Sequence, residues 1–121
     1  MVLQIEKKRI EPDIVVIEIS GKVALGRESG QIEHMLVEAL QQGERKIIFD
    51  LSGVNHIDST GIGIIAYCFG KVTQSGGQMR IAGAKGPVME VFKITRLDSV
   101  VKFYPDVAAA TAGMKATGQP A

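Results

Sequence analysis

The tightest constraint in this sequence is the unbroken apolar run Ile47-Ile48-Phe49 within the segment Lys46 to Leu51. Side chains alternate between the two faces of a strand, so a strand with one wet face alternates apolar and polar residues. This run does not alternate, which predicts a central strand covered on both faces and therefore a sheet packed with helices. The flanking residues supply the rest. Val2 to Lys8 and Ile14 to Ser20 are rich in β-formers and are separated by the turn-forming set Glu11-Pro12-Asp13, so the chain should open with an antiparallel hairpin. In the second strand Val15, Ile17 and Ile19 share one face while Ile14 and Val16 share the other. Gly21 to Gly26 is expected to be a loop, and Ser52 to Ile57 a second, connecting loop.

Between Arg27 and Gln42, the residues Ile32, Met35, Leu36, Ala39 and Leu40 recur at helical spacing with polar residues between them, and Gly43 provides a stop. A second helix is predicted from about Ser59 to Ser75, with Ile62, Ile65, Ala66, Phe69 and Val72 facing inward and Gly76-Gly77 as its left-handed end. Met79 to Ala82 then forms a strand. Pro87 suits the first turn of a third helix with the stripe Val88, Val91 and Phe92. Val100 to Phe103 extends again, and Pro105 opens a last, alanine-rich helix. Strand-helix-strand units from residue 46 onward imply parallel neighbours. The expected fold is thus a single α/β domain with a mixed sheet, opened by a β-hairpin and packed with about four helices. It should span residues 1–112, with 113–121 a flexible tail that has little to bury.

At 121 residues with 45% apolar content, the chain has enough core for one domain and too little for two. Its 14 basic and 13 acidic residues give a formal charge of +1, which supplies no field for a polyanion or an acidic membrane. Nucleic acid is not an expected partner, and Lys7-Lys8-Arg9 is best explained as a solvated strand end. The lone cysteine, Cys68, lies among Ile65, Phe69 and Val72 on the second helix and is expected to be a core thiol in a reducing compartment. The first residues become charged too early for a secretory signal, and no apolar stretch approaches the roughly 20 residues that span a bilayer. A cytoplasmic protein without membrane insertion is expected.

His56, Asp58 and Ser59 are too close on one turn to set a base between nucleophile and carboxylate, and Ser59 lacks a Gly-x-Ser-x-Gly elbow. His34 and His56 lie in different elements without ligand-spaced partners, so no metal site is expected, and His34 should sit on a helix surface. Gly61-Ile62-Gly63 with Ala66 matches a dinucleotide loop in letters, but the expected long loop before it and the missing acidic residue near position 80 weaken the match. What remains is Asp58-Ser59-Thr60-Gly61, where Asp58 or Ser59 can cap the second helix and leave Ser59 near free N–H groups. On position alone, a cap with no further role is the simpler explanation.

The segment from Ile48 to Gly63, a buried strand ending Asp50-Leu51-Ser52-Gly53, a connection of fixed length, and Asp58-Ser59-Thr60-Gly61 opening a helix, resembles the central motif of the STAS family, in particular anti-sigma factor antagonists. The resemblance runs in order through nearly the whole chain. It implies no catalysis by this chain and no cofactor of its own. It implies that the unmodified form binds an anti-sigma factor that is also a serine kinase, freeing a sigma factor, and that phosphorylation of Ser59 ends this binding until a phosphatase reverses it. ATP and Mg²⁺ would belong to the kinase. Asp58 is then expected to cap and orient the loop, Thr60 to hydrogen-bond locally and to offer a second candidate hydroxyl, and Gly61 to keep the surface open to the kinase or to pack closely. The expected state is a monomer or weak dimer. One departure is that, where similar antagonists commonly carry an acidic residue in the loop after the second strand, this chain reads Gly21-Lys22-Val23-Ala24-Leu25-Gly26-Arg27-Glu28, which implies a different partner surface. The alternative is a STAS module serving as an assembly, transport-system or nucleotide-sensing subunit, with Ser59 only a cap.

Overall fold

The computed structural model describes residues 3–24 and 29–117. Two strands, β1 (Gln4–Ile10) and β2 (Ile14–Val23), form the expected antiparallel hairpin, with a turn at Glu11–Asp13. Helix α1 (Gly30–Gln41) leads to β3 (Lys46–Ile57), α2 (Ser59–Gln74), β4 (Gln78–Ala82), α3 (Gly86–Ile94), a 3₁₀ turn at Leu97–Ser99, β5 (Lys102–Tyr104) and α4 (Val107–Thr117). The five strands lie in one sheet in their order along the chain, antiparallel at the hairpin and parallel from β2 onward.

The apolar run of β3 is buried as its lack of alternation requires. Ile47, Phe49 and Leu51 enter a large core with Val15, Ile17 and Ile19 of β2, Met79 and Ile81 of β4, and the inner sides of α1, α2 and α3. Ile48 enters a smaller core with Ile14, Val16, Ala82, and Ala110 and Met114 of α4. Because alternate strand residues face opposite ways, three helices cover one side of the sheet and α4 covers the other.

Four expectations are corrected. First, β2 does not end at Ser20, nor β3 at Leu51: Ser20, Gly21, Lys22 and Val23 pair with Gly53, Val54, His56 and Ile57. The pairing shifts register between Glu18 and Ser20 and again between Gly21 and Lys22. Those shifts break the strict alternation and make Ser52 to Ile57 look like a loop. Gly21 accommodates the irregularity at φ +93°, and Gly53 lets the strands approach, since a Cβ there would lie 2.7 Å from that of Ser20.

Second, the inner side of α2 is formed by Gly61, Ile64, Ile65, Cys68 and Val72; Ala66 is exposed, while Ile62 and Phe69 pack only at its margin. Third, β5 begins at Lys102 and ends at Tyr104, with Val101 buried and Val100 exposed at the end of the 3₁₀ turn. Fourth, α4 continues past Ala112 to Thr117, and Met114 is fully buried. The folded unit therefore extends beyond 112; residues 118–121 of the expected tail lie outside the described residues. The predicted start of α1 at Arg27 lies outside them too, and the helix begins at Gly30.

Candidate functional site

The extension of β3 changes how the Asp58-to-Gly61 turn is held. Ile57 is the last strand residue and Ser59 the first of α2, so Asp58 alone makes the connection. Its backbone is extended (φ −110°, ψ −174°), which turns the chain from strand to helix. Three hydrogen bonds fix it. The Asp58 N–H donates to the carbonyl of Val23 at 3.1 Å, the Asp58 carbonyl accepts from the Ile62 N–H at 2.9 Å, and its Oδ1 accepts from the Gly61 N–H at 2.9 Å. Asp58 is thus the N-cap, as expected, and its carboxylate favours the positive end of the helix dipole.

Gly61 is locked by sterics. A Cβ there would stand 2.5 Å from the Val23 carbonyl oxygen, 2.7 Å from Ile57 Cγ1 and 2.9 Å from Val23 Cγ1. Of the two expected roles for Gly61, close packing is the one its burial supports, and open access is not. Gly63 is the open glycine: it is exposed, and nothing lies within 4 Å of the space a Cβ would fill. No hydrogen bond joins the Thr60 hydroxyl to a described residue, so the local bond expected of this half-buried side chain is not formed.

Ser59 is exposed at the first helical position. With the Gly61 and Ile62 N–H groups engaged by Asp58, the N–H groups of Ser59 and Thr60 are left as helix-terminal donors that have no intrahelical acceptor. The end of β3 beside it is polar: Asn55 and His56 are exposed, as is Lys22 opposite His56.

Asp58 Oδ1 is spent on the cap, and cavities of about 540, 360 and 350 Å³ are lined by other residues. Among the described residues, no three His, Cys, Asp or Glu side chains are grouped to hold a metal ion, and His34 is exposed on α1. The expected long loop before Gly61 is absent, so that objection to a dinucleotide loop falls. The burial of Gly61 replaces it: the space beside this glycine is filled by Val23 and Ile57 and leaves no room for a pyrophosphate.

Sequence reasoning missed the Val23 carbonyl, which anchors Asp58 from a strand 35 positions away in sequence. Ile57 and Val54 carried the available signal, since both are apolar within an otherwise polar stretch. Leu25 to Glu28 of the altered Gly21-to-Glu28 segment lie outside the described residues.

Residues 5–110 match the STAS domain model. A Thermotoga maritima protein named for anti-sigma factor antagonism is 34% identical over 102 residues, covering 84% of this chain and 90% of that protein. A crystal structure of an anti-sigma factor antagonist from Thermotoga maritima superposes with a TM-score of 0.84 at 25% identity, covering 92% of this chain and 94% of that one. SpoIIAA of Bacillus, an anti-sigma factor antagonist, shares the fold in two solved forms. Its unphosphorylated form gives a TM-score of 0.70 at 18% identity (96% and 100% covered), and its phosphorylated form 0.70 at 20% (90% and 98% covered).

Proposed function

The chain belongs to the STAS domain family, and we propose that it acts as an anti-sigma factor antagonist controlled at Ser59. In the unmodified state it binds an anti-sigma factor with serine-kinase activity and releases a sigma factor. Transfer of a phosphoryl group to Ser59 Oγ ends the complex, and a phosphatase restores the hydroxyl. The chain itself carries out no chemistry on this reading; ATP and Mg²⁺ are held by the kinase. Relatives named for anti-sigma factor antagonism favour this reading over an assembly, transport-system or nucleotide-sensing subunit.

The observation that carries the reading is an exposed hydroxyl on an immobilised backbone. Ser59 is open to solvent, while Asp58 is tied to Val23 and Gly61, and Gly61 is wedged against Val23 and Ile57. A phosphate on Ser59 would meet the helix dipole and the free N–H groups of Ser59 and Thr60, so the fold tolerates it. A protein surface docked over the same point would not. The added charge of about −1.5 to −2 would be desolvated beside the Asp58 carboxylate. A loss of about 3 kcal/mol in the interface corresponds to roughly a hundredfold weaker affinity, sufficient for a switch without refolding.

The test is incubation with the candidate kinase, ATP and Mg²⁺ followed by intact-mass measurement. Wild type is expected to gain one phosphate and Ser59→Ala none, and Ser59→Glu is expected to lose roughly a hundredfold in affinity for the kinase. A phosphate retained by Ser59→Ala, or full affinity in Ser59→Glu, overturns the assignment.

A further inference from the structure

Helix α2 buries one side and leaves the other without a partner among the described residues. Gly61, Ile64, Ile65, Cys68 and Val72 enter the core, while Ser59, Gly63, Ala66 and Tyr67 are exposed on the outward side. Gly63 stands one turn from Ser59. Nothing lies within 4 Å of the space its Cβ would fill, so no contact of that kind explains a residue that weakens a helix.

Tyr67 follows about 12 Å along the axis from Ser59, at 1.5 Å per residue. It is 46% exposed, and of the large apolar side chains exposed among the described residues, Tyr67, Ile94 and Val100, it alone is carried by the helix that begins at Ser59. The Nζ of Lys71 lies 5.8 Å from the centre of its ring. Among the described residues Lys71 has no carboxylate within ion-pairing distance. Beyond it a cavity of about 350 Å³ opens between the helices, with Val37 and Leu40 of α1 and Lys71 and Gln74 of α2 in its lining.

A kinase that acts on Ser59 must cover the start of α2. Stable complexes bury about 800 Å² on each partner, more than a single turn presents, so the contact continues over adjoining surface. The end of β3 there is polar, whereas α2 offers an exposed aromatic ring, and desolvated aromatic side chains are the usual anchors of interfaces. A protein laid on Tyr67 also takes water from Lys71, whose charge then needs a carboxylate from the partner. We propose that the outward side of α2 from Ser59 to Lys71 is the docking surface for the kinase, with Tyr67 seated in an apolar recess of that protein and a carboxylate of the kinase facing Lys71. The bare position at Gly63 lets the kinase approach closely between Ser59 and Tyr67. The inference rests on the reading of Ser59 given above and adds a determinant of partner choice about two turns away.

The test measures the affinity of the full chain for the candidate kinase, with phosphorylation followed in parallel by intact mass. Tyr67→Ala is expected to weaken binding about tenfold or more. Lys71→Glu is expected to weaken it about tenfold at low salt and less at high salt, as an interfacial ion pair requires. Ile94→Ala removes an exposed apolar side chain from the end of α3 and is expected to bind as wild type does. Equal urea midpoints of wild type and Tyr67→Ala confirm that the loss is one of contact. Wild type phosphorylated at Ser59 with affinity unchanged in Tyr67→Ala overturns this inference and leaves the role of Ser59 standing. Wild type neither bound nor phosphorylated overturns the reading of Ser59 itself, and this inference with it.

Discussion

Gly61 and Gly63 stand two positions apart on α2 and answer to opposite constraints. An alanine at 61 must push its Cβ against the Val23 carbonyl, whose hydrogen bond holds Asp58. Gly61→Ala is expected to cost about 1–3 kcal/mol, as overpacking does in a filled site. Gly63→Ala meets open space within an exposed helical turn and should gain up to about 1 kcal/mol from helix propensity. Urea denaturation of the two variants measures both signs. Cys68 permits a pH test. Burial in the main core, with a smaller contribution from Glu33, pushes its thiol up from 9.0 to about 12. The unfolded chain then loses this proton at a lower pH than the folded one, so the contribution to stability is whole below pH 9.0 and falls as pH rises towards about 12. The slope reaches about 1.4 kcal/mol per pH unit. Chemical denaturation of wild type and Cys68→Ala between pH 8 and 11 isolates it, because the variant, although less stable throughout, lacks this part of the slope.

Among the elements, the helices were legible where spacing alone sets the buried side, as for Ile32, Leu36 and Ala39 of α1. Capping was legible as well: Asp58 precedes a helix and has the side chain that closes one. What could not be read depends on partners distant in sequence. The far end of β3 is a strand only because β2 accepts it through two register shifts, and Gly61 is buried only because β2 ends against it. Cys68 lies in the core as its apolar neighbours imply, whereas the spacing points to Ala66 in place of Ile64, because the side a long apolar helix buries is decided by the sheet beneath it. The glycine-, threonine- and proline-containing C-terminus hid Met114, whose burial closes the smaller core against Ile48 and Ala82. Met114→Ala is expected to cost about 2–5 kcal/mol, measured from the urea midpoint at unchanged slope. A value near zero would place the end of the domain back at Ala112.

For the molecule as a whole, sequential strand order puts each strand beside the one before it, and the helices settle on either side of that sheet. Such a scaffold responds little to a charge added at its surface. Phosphorylation of Ser59 is therefore expected to move amide signals only around the end of β3 and the first turns of α2, with the signals of β1, β4 and α4 unchanged in an NMR comparison of the two forms. Widespread changes would mean that the switch works by rearrangement rather than by blocking contact. The bond from Val23 to Asp58 also sets where the chain can be rebuilt. Tags grafted into the exposed hairpin turn at Glu11–Asp13 would leave the phosphoacceptor's footing alone. A single residue inserted between Gly21 and Val23 would carry that oxygen out of reach and loosen the start of α2, although position 58 itself was never edited.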